Sequence, residues 1–249
     1  MAKLTGGQAA HLVDRHMRMY NALQAAAHAA GHRAAHEPAR AAAPYVAISR
    51  LHGAQGSLVA AGVAKRLGWE LYDRELLEAV AADAHLQSRI LERFDERELG
   101  QIEEMVAGLM GHGAEQVHEY TKSLLKVLSG LGQIGRVVVV GRGAHRVLPP
   151  DQGLRVRVYA PIEHRVAWLA ETENLPRHLA HAKIDKLDKA SEGWLLRTFR
   201  DKPGEDCPFD IDLNTATLGV PHCVDLIVEA LYAKCPVARA LTGEPVTAK

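Results

Sequence analysis

Residues 45–57 are YVAISRLHGAQGS, a strand-like run followed by a glycine-bearing loop. Residues 45–49 form a short apolar, β-branched run of the kind that makes a buried strand, and Arg50 to Ser57 form a loop carrying Gly53 and Gly56. From Ser57 the segment SLVAAGVAKRLG sets Leu58, Val59, Gly62, Val63 and Leu67 on one helical face, leaves Lys65 and Arg66 outside, and ends at Gly68. A strand, a glycine-bearing loop and a helix in succession make a ready anion site, because loop N–H groups and the positive helix end point at the same place.

The same alternation continues downstream. A short strand through Leu71 and Tyr72 stops at Asp73, residues 74–131 are helical in pattern with a break near Gly111 to Gly113, and RVVVV (136–140) is a continuous apolar run expected at the centre of a parallel sheet. LRVRVYA (154–160) leads through Pro161 into the amphipathic helix IEHRVAWLAETE, and a charged helical stretch covers 176–200. FDIDLNT (209–215) is the last strand, and VPHCVDLIVEALYAK closes the domain as a helix. Five strands alternating with helices predict an α/β, doubly wound, mostly parallel sheet, in which ligands bind beyond the carboxyl ends of the strands.

Composition narrows the function classes. Thirty Lys and Arg balance thirty Asp and Glu, so no overall field favours nucleic acid or a membrane surface. Cys207, Cys223 and Cys235 lack CxxC spacing and read as reduced thiols, which favours the cytoplasm. The N-terminus lacks a signal-peptide core, and no run of about 18 apolar residues occurs, so a membrane span is not expected.

Residues 21–43, NALQAAAHAAGHRAAHEPARAAA, are biased to Ala, His and Arg and offer few large apolar side chains. Residues 1–43 are therefore expected to be an N-terminal extension, partly disordered or helical, that adds little to the core. The domain proper is expected over 44–236, with a C-terminal tail over 237–249. His28, His32 and His36 recur every four residues, a metal-binding spacing on a continuous helix, but Gly31 and the lack of Cys or carboxylate partners favour a solvated tail.

Set in frame on the phosphate-loop pattern GxxxxGK[ST], the loop puts Arg50 at the first Gly, Gln55 at the second, Gly56 at the Lys and Ser57 at the Ser/Thr. The lysine that reaches the β- and γ-phosphates is thus absent, while Ser57 keeps a hydroxyl suited to Mg²⁺. On the residues alone, a tight strand-to-helix turn and a phosphate cradle are equal readings of this loop.

Five collinear segments resemble the cytidylate kinase-like proteins among the P-loop nucleoside monophosphate kinases. They are AISRLHGAQGSLVAAGVAKRLG, LYDRELLEAVA, VVVVGRGAHRVL, RVYAPIEHRV and FDIDLNTATLGV, and together they span roughly residues 45–232. The resemblance implies a P-loop kinase-like three-layer fold with a central parallel five-stranded sheet, a helical insertion and a basic lid. It implies ATP and Mg²⁺ as cofactors, with phosphates at Arg50, Gly53, Ala54, Gln55, Gly56 and Ser57 and the metal at Ser57. Relatives typically show SRxxGSGG here, itself without the lysine, and Gln55 in place of Gly is a further departure of this chain.

Asp73 matches an acidic position that orients the acceptor or its Mg²⁺, and it is equally an N-cap for the next helix. Arg142, between Gly141 and Gly143 at a strand end, matches an arginine that takes an acceptor phosphate, against the alternative of a surface salt bridge. KIDKLDKASEGWLLRTFRDKP resembles the lid. Its cations are Lys183, Lys186, Lys189, Arg197, Arg200 and Lys202, most of them expected to be solvated; Arg197 and Arg200 are the catalytic candidates alongside Asp73. Ser191 stands where relatives often carry an arginine. His145, His164, His178 and His222 have no metal or triad spacing and read as structural.

The activity implied is ATP-dependent phosphorylation of a small-molecule nucleotide, with CMP or dCMP first, or of another small acceptor. The alternative is a catalytically weak or inactive nucleotide-binding domain with a degenerate loop. Cations converging on one point would favour transfer, and cations dispersed over the lid would favour the inert domain. Oligomeric state is open at this level.

Overall fold

The computed structural model describes residues 5–29, 43–110, 119–199 and 209–242. Strands β1 (Tyr45–Arg50), β2 (Glu70–Tyr72), β3 (Val137–Val140), β4 (Gly153–Tyr159) and β5 (Ile211–Asn214) form one sheet in the order β2-β3-β1-β4-β5. All neighbouring pairs are parallel, with Tyr45 beside Val137 on one side and Gly153 on the other. The central strands are buried on both faces, which explains why 137–140 is four consecutive valines rather than an alternating pattern.

Helices cover both faces. On one, α1 (Gly6–Ala29), α3 (Arg74–Ala82), α4 (Ala84–Leu91), α5 (Glu96–Met110), α6 (Glu119–Ile134) and the single turn α7 (Ala144–Val147) enclose Tyr45, Ala47, Tyr72, Val137 and Val139 in one core. On the other, α2 (Gly56–Leu67), α10 (Thr215–Lys234) and α11 (Pro236–Thr242) pack against Val46, Ile48, Val138, Val156 and Val158. Between β4 and β5 lie α8 (Ile162–Glu173) and α9 (Arg177–Phe199), joined through Val166, Leu169, Ala180 and Ile184. The result is the expected three-layer α/β fold, with α3 to α6 as the helical insertion. The expected break at 111–113 lies outside the described residues.

The N-terminal expectation needs correction. Residues before 41 do contribute to the core, because α1 inserts Ala9, Val13 and Met17 into the insertion-side cluster. Composition misled because the stripe is short and sits ahead of the Ala-rich segment. Buried His16 fixes the helix by bonding the Tyr72 hydroxyl at 3.2 Å and the Gly135 carbonyl at 3.1 Å. Arg15 adds a bond from Nε to Glu70 Oε2 at 2.8 Å. His32 and His36 fall outside the described residues, so the three-histidine reading has no structural counterpart.

At the other end the chain past 236 is not all tail, since α11 buries Ala238 in the second core. Thr215–Lys234 is long and apolar enough to cross a membrane by length and composition, with a mean hydropathy of 1.2. Its Cys223, Ile227, Val228 and Leu231 are instead packed against α2 and the sheet, and Gly219 (φ 71) breaks the helix ahead of Pro221. Cys223 and Cys235 are buried free thiols, and Cys207 lies outside the described residues.

Candidate functional site

The carboxyl ends of β1 and β3 open into a cavity of about 570 Å³, within the size range of small-ligand sites. Arg50, Arg74, Arg142 and Arg197 all line it, together with His145, Asp188 and Trp194. A second, smaller cavity of about 260 Å³ lies beside His16, Ala43 and Gly135, ahead of β1 and β3. That is the amino end of the sheet, away from the end at which such folds bind ligands.

Each arginine is placed by local structure. Arg50 ends β1, and its stem crosses the start of α2: a Cβ at Gly56 would lie 2.5 Å from Arg50 Cβ and 2.9 Å from Cγ. Burial, then the charge of Arg74, lowers the basicity of the Arg50 guanidinium, and Asp188 and Asp73 act in the opposite sense. Arg142 sits in a turn of three left-handed residues, Gly141 (φ 74), Arg142 (φ 50) and Gly143 (φ 67), a backbone that a non-glycine residue adopts at some cost. Its guanidinium pairs with Glu78, lies 5.3 Å from the Trp194 ring centre, and leaves Nε buried without a partner among the described residues. Burial, Arg74 and Arg50 together lower its pKa to about 10.

Arg74 follows Asp73, which caps α3 by accepting from Leu76 N at 2.9 Å. From that first turn Arg74 donates Nε to Glu78 at 2.8 Å, so one carboxylate holds two cavity arginines. Arg197 is exposed at the cavity rim. Three cations thus converge from β1, α3 and the turn after β3, and a fourth comes from α9.

The loop itself is tight. Gly53 (φ 79) admits no side chain, because its Cβ would lie 2.8 Å from the Arg165 carbonyl oxygen. Ala54 is buried, and its carbonyl accepts from Thr215 Oγ1 at 3.0 Å. Gln55 occupies the N-cap of α2 in the left-handed region (φ 58) without a side-chain capping bond, and Ser57 is exposed in the first turn.

The profile of the cytidylate kinase-like family matches residues 45–217, from the start of β1 into α10, and so takes in every element that lines the arginine cavity. The chain belongs to the cytidylate kinase-like family. Among solved structures, an uncharacterized protein from Eubacterium ventriosum is similar to this cytidylate kinase-like chain at 22% identity and a TM-score of 0.59, over 76% of this chain and 98% of that one. Shikimate kinase from Acinetobacter baumannii, in complex with shikimate, is 17% identical with a TM-score of 0.39, over 75% of this chain and 92% of that one. A uronate isomerase from Corynebacterium glutamicum is 26% identical over 132 residues, which is 53% of this chain and 24% of that protein. The chain therefore spans about a quarter of that curated relative's length.

Of the residues singled out by sequence, Arg50, Arg142 and Arg197 share one cavity, and Asp73 stands within electrostatic reach of Arg50. Arg200 and Lys202 lie outside the described residues. Lys183 pairs with Glu173 away from the cavity. Three residues escaped the sequence reading. Arg74 stands beside a residue that was singled out, and only the turn at Asp73 reveals that it points at the same cavity. Asp188 looks like one more charge on an exposed helix, yet it is half-buried and bound to the loop after β1 through His52. His145, read as structural, lines the cavity, and burial followed by the charges of Arg146 and Arg155 lowers its pKa to about 4.

Proposed function

We propose that the chain transfers a phosphoryl group from ATP to a phosphate-bearing small acceptor, with CMP or dCMP as the first candidates. The observation that carries this reading is the convergence of Arg50, Arg74, Arg142 and Arg197 on one cavity beside the loop. Planar guanidiniums bind phosphate oxygens in pairs, and several aimed at one volume fit a phosphoryl transfer better than a cation spread over a surface.

The chain's residues divide the work. Gly53 and Gly56 let the loop pack closely on Arg165 and on the Arg50 stem, and its backbone N–H groups with the start of α2 offer partial positive charge to phosphates. Arg50 stands over Gly56 and supplies a cation at a loop without lysine. Arg74 and Arg142, both held by the Glu78 carboxylate, receive the acceptor phosphate, and Arg197 closes from the rim to offset charge as the phosphoryl group moves. Neutral His145 can accept or donate a hydrogen bond without adding charge. Ser57 and Asp73 supply oxygens of the kind Mg²⁺ prefers, and the ion when bound would neutralise charge on the β- and γ-phosphates.

The test is a screen of nucleoside monophosphates and small phosphorylated and unphosphorylated metabolites for ATP-dependent phosphorylation by the purified chain. Asp73→Asn and Arg142→Ala serve as controls. Transfer to a phosphomonoester that both substitutions depress supports the reading. Transfer confined to unphosphorylated acceptors contradicts the assignment of Arg74 and Arg142.

A further inference from the structure

The Asp188 carboxylate, on α9, gathers three donors from two other elements. His52 N–H reaches Oδ1 at 3.0 Å, His52 Nδ1 lies 2.8 Å from the same oxygen, and Arg165 Nη1 donates to Oδ2 at 2.6 Å. Arg165 Nη1 also bonds the His52 carbonyl at 3.2 Å, so loop and α8 are tied to each other whether or not α9 is present. The close approach at Gly53 to the Arg165 backbone fixes them further. The donors are thus a rigid set, and the acceptor comes from a separate helix.

Asp188 continues the stripe Ala180, Ile184 at four-residue spacing, where the first two side chains are buried against α8. A carboxylate on an apolar stripe is costly unless its charge is met, and here a backbone N–H, an imidazole and a buried guanidinium meet it. Arg165 is 8% exposed, and its Nε is buried without a partner among the described residues. The set is chemically what a phosphate oxygen pair requires. Asp188 also lines the arginine cavity, and its charge acts on Arg50 as well as on Arg165.

We propose that His52 N–H, the His52 imidazole and the Arg165 guanidinium form a phosphoryl subsite, which the Asp188 carboxylate fills as an internal substitute and thereby latches α9 onto the loop. This rests on the reading that the loop receives nucleotide phosphates. A phosphate that takes the place of Asp188 gains Arg165 and removes one of the two carboxylates that act on Arg50, and the part of α9 beyond Ile184 is freed to reposition Arg197. The subsite therefore couples occupancy of the loop to the position of the lid helix.

The test is calorimetry of the full chain with inorganic pyrophosphate. Asp188→Ala is expected to bind it about tenfold more tightly than wild type, since removing the competing anion frees two charge-assisted donors. Adding Arg165→Gln to Asp188→Ala is expected to return the affinity to the wild-type level. Thermal unfolding confirms that each variant is folded; if Asp188→Ala is not, the isosteric Asp188→Asn is expected to shift affinity in the same direction by about threefold. Unchanged or weaker binding by the Asp188 variants, or a gain that survives Arg165→Gln, overturns the latch. ATP-dependent transfer measured alongside separates the two claims: transfer by wild type with no gain in the variants removes the latch alone, and a gain without any transfer removes the kinase reading alone.

Discussion

A side chain at Gly56 would collide with Arg50, whose Cβ would lie 2.5 Å and Cγ 2.9 Å from the added carbon. The two positions are therefore coupled: the arginine stem takes the space that the lysine of the common phosphate loop would need. Restoring that lysine should harm the protein. Gly56→Lys is expected to lower folding stability by about 1–3 kcal/mol through overpacking and to weaken ATP binding. Thermal unfolding with calorimetry checks this, and a stable variant that binds ATP more tightly would contradict it.

Glu78 holds both Arg74 and Arg142, which under the proposed function makes it a positioning residue for the acceptor phosphate. Arg142→Ala is expected to raise the KM for a phosphorylated acceptor about tenfold or more, the scale of one lost charge-assisted bond. Glu78→Gln is expected to raise the same KM by a smaller factor with little change in the KM for ATP. Steady-state kinetics with each substrate varied in turn separates these effects, and an equal rise in both KM values would count against the assignment.

Much of the fold was legible in sequence because parallel strands buried on both faces leave continuous apolar runs, as at 137–140, and because Gly53, Gly56 and Gly68 punctuate the first turn and helix. The candidate site was legible where a residue sits on the sheet's carboxyl edge, as Arg50 and Arg142 do, and at Arg197 through the resemblance of its segment to a lid. Arg74, Arg165 and Asp188 were not, since each owes its role to how a helix is rotated, which charge patterning on one segment does not reveal. The core role of Ala9, Val13 and Met17 was hidden for a related reason: three small or flexible side chains make a stripe that only their partners on α3 and α4 complete.

That role gives a stability prediction. Met17→Ala removes a side chain that is 4% exposed and is expected to cost about 2–4 kcal/mol, whereas substitution of exposed Arg18 should be nearly neutral. Denaturant unfolding of the two variants decides it. Equal midpoints would mean that α1 is dispensable to the core.

Acid should destabilise the protein in two stages. His145 has its pKa lowered from 6.5 to about 4 by burial and neighbouring arginines, so the unfolded chain takes up a proton that the native state refuses. Stability is full above about pH 6.5 and falls as pH drops toward 4, by up to roughly 3 kcal/mol, and buried His16 adds in the same direction. Burial raises the Asp188 carboxyl, but the bonds from His52 and Arg165 outweigh it and hold the pKa at about 2, below its ordinary 3.8. Its contribution is present above about pH 4 and is lost only between there and pH 2. Denaturant midpoints measured from pH 8 to pH 4 should fall for wild type and fall less for His145→Gln; parallel curves would contradict the first stage.

Under the proposed function, arginines, with Arg50 foremost, stand in for the lysine that the loop after β1 lacks. Calorimetric titration of ATP with Mg²⁺ into wild type and Arg50→Ala measures that substitution. Wild type is expected to bind measurably and Arg50→Ala to lose about 1–3 kcal/mol of that affinity, with the fold intact by thermal unfolding. Undetectable binding and no thermal shift for wild type at millimolar ATP, or equal affinity in the two proteins, would contradict it.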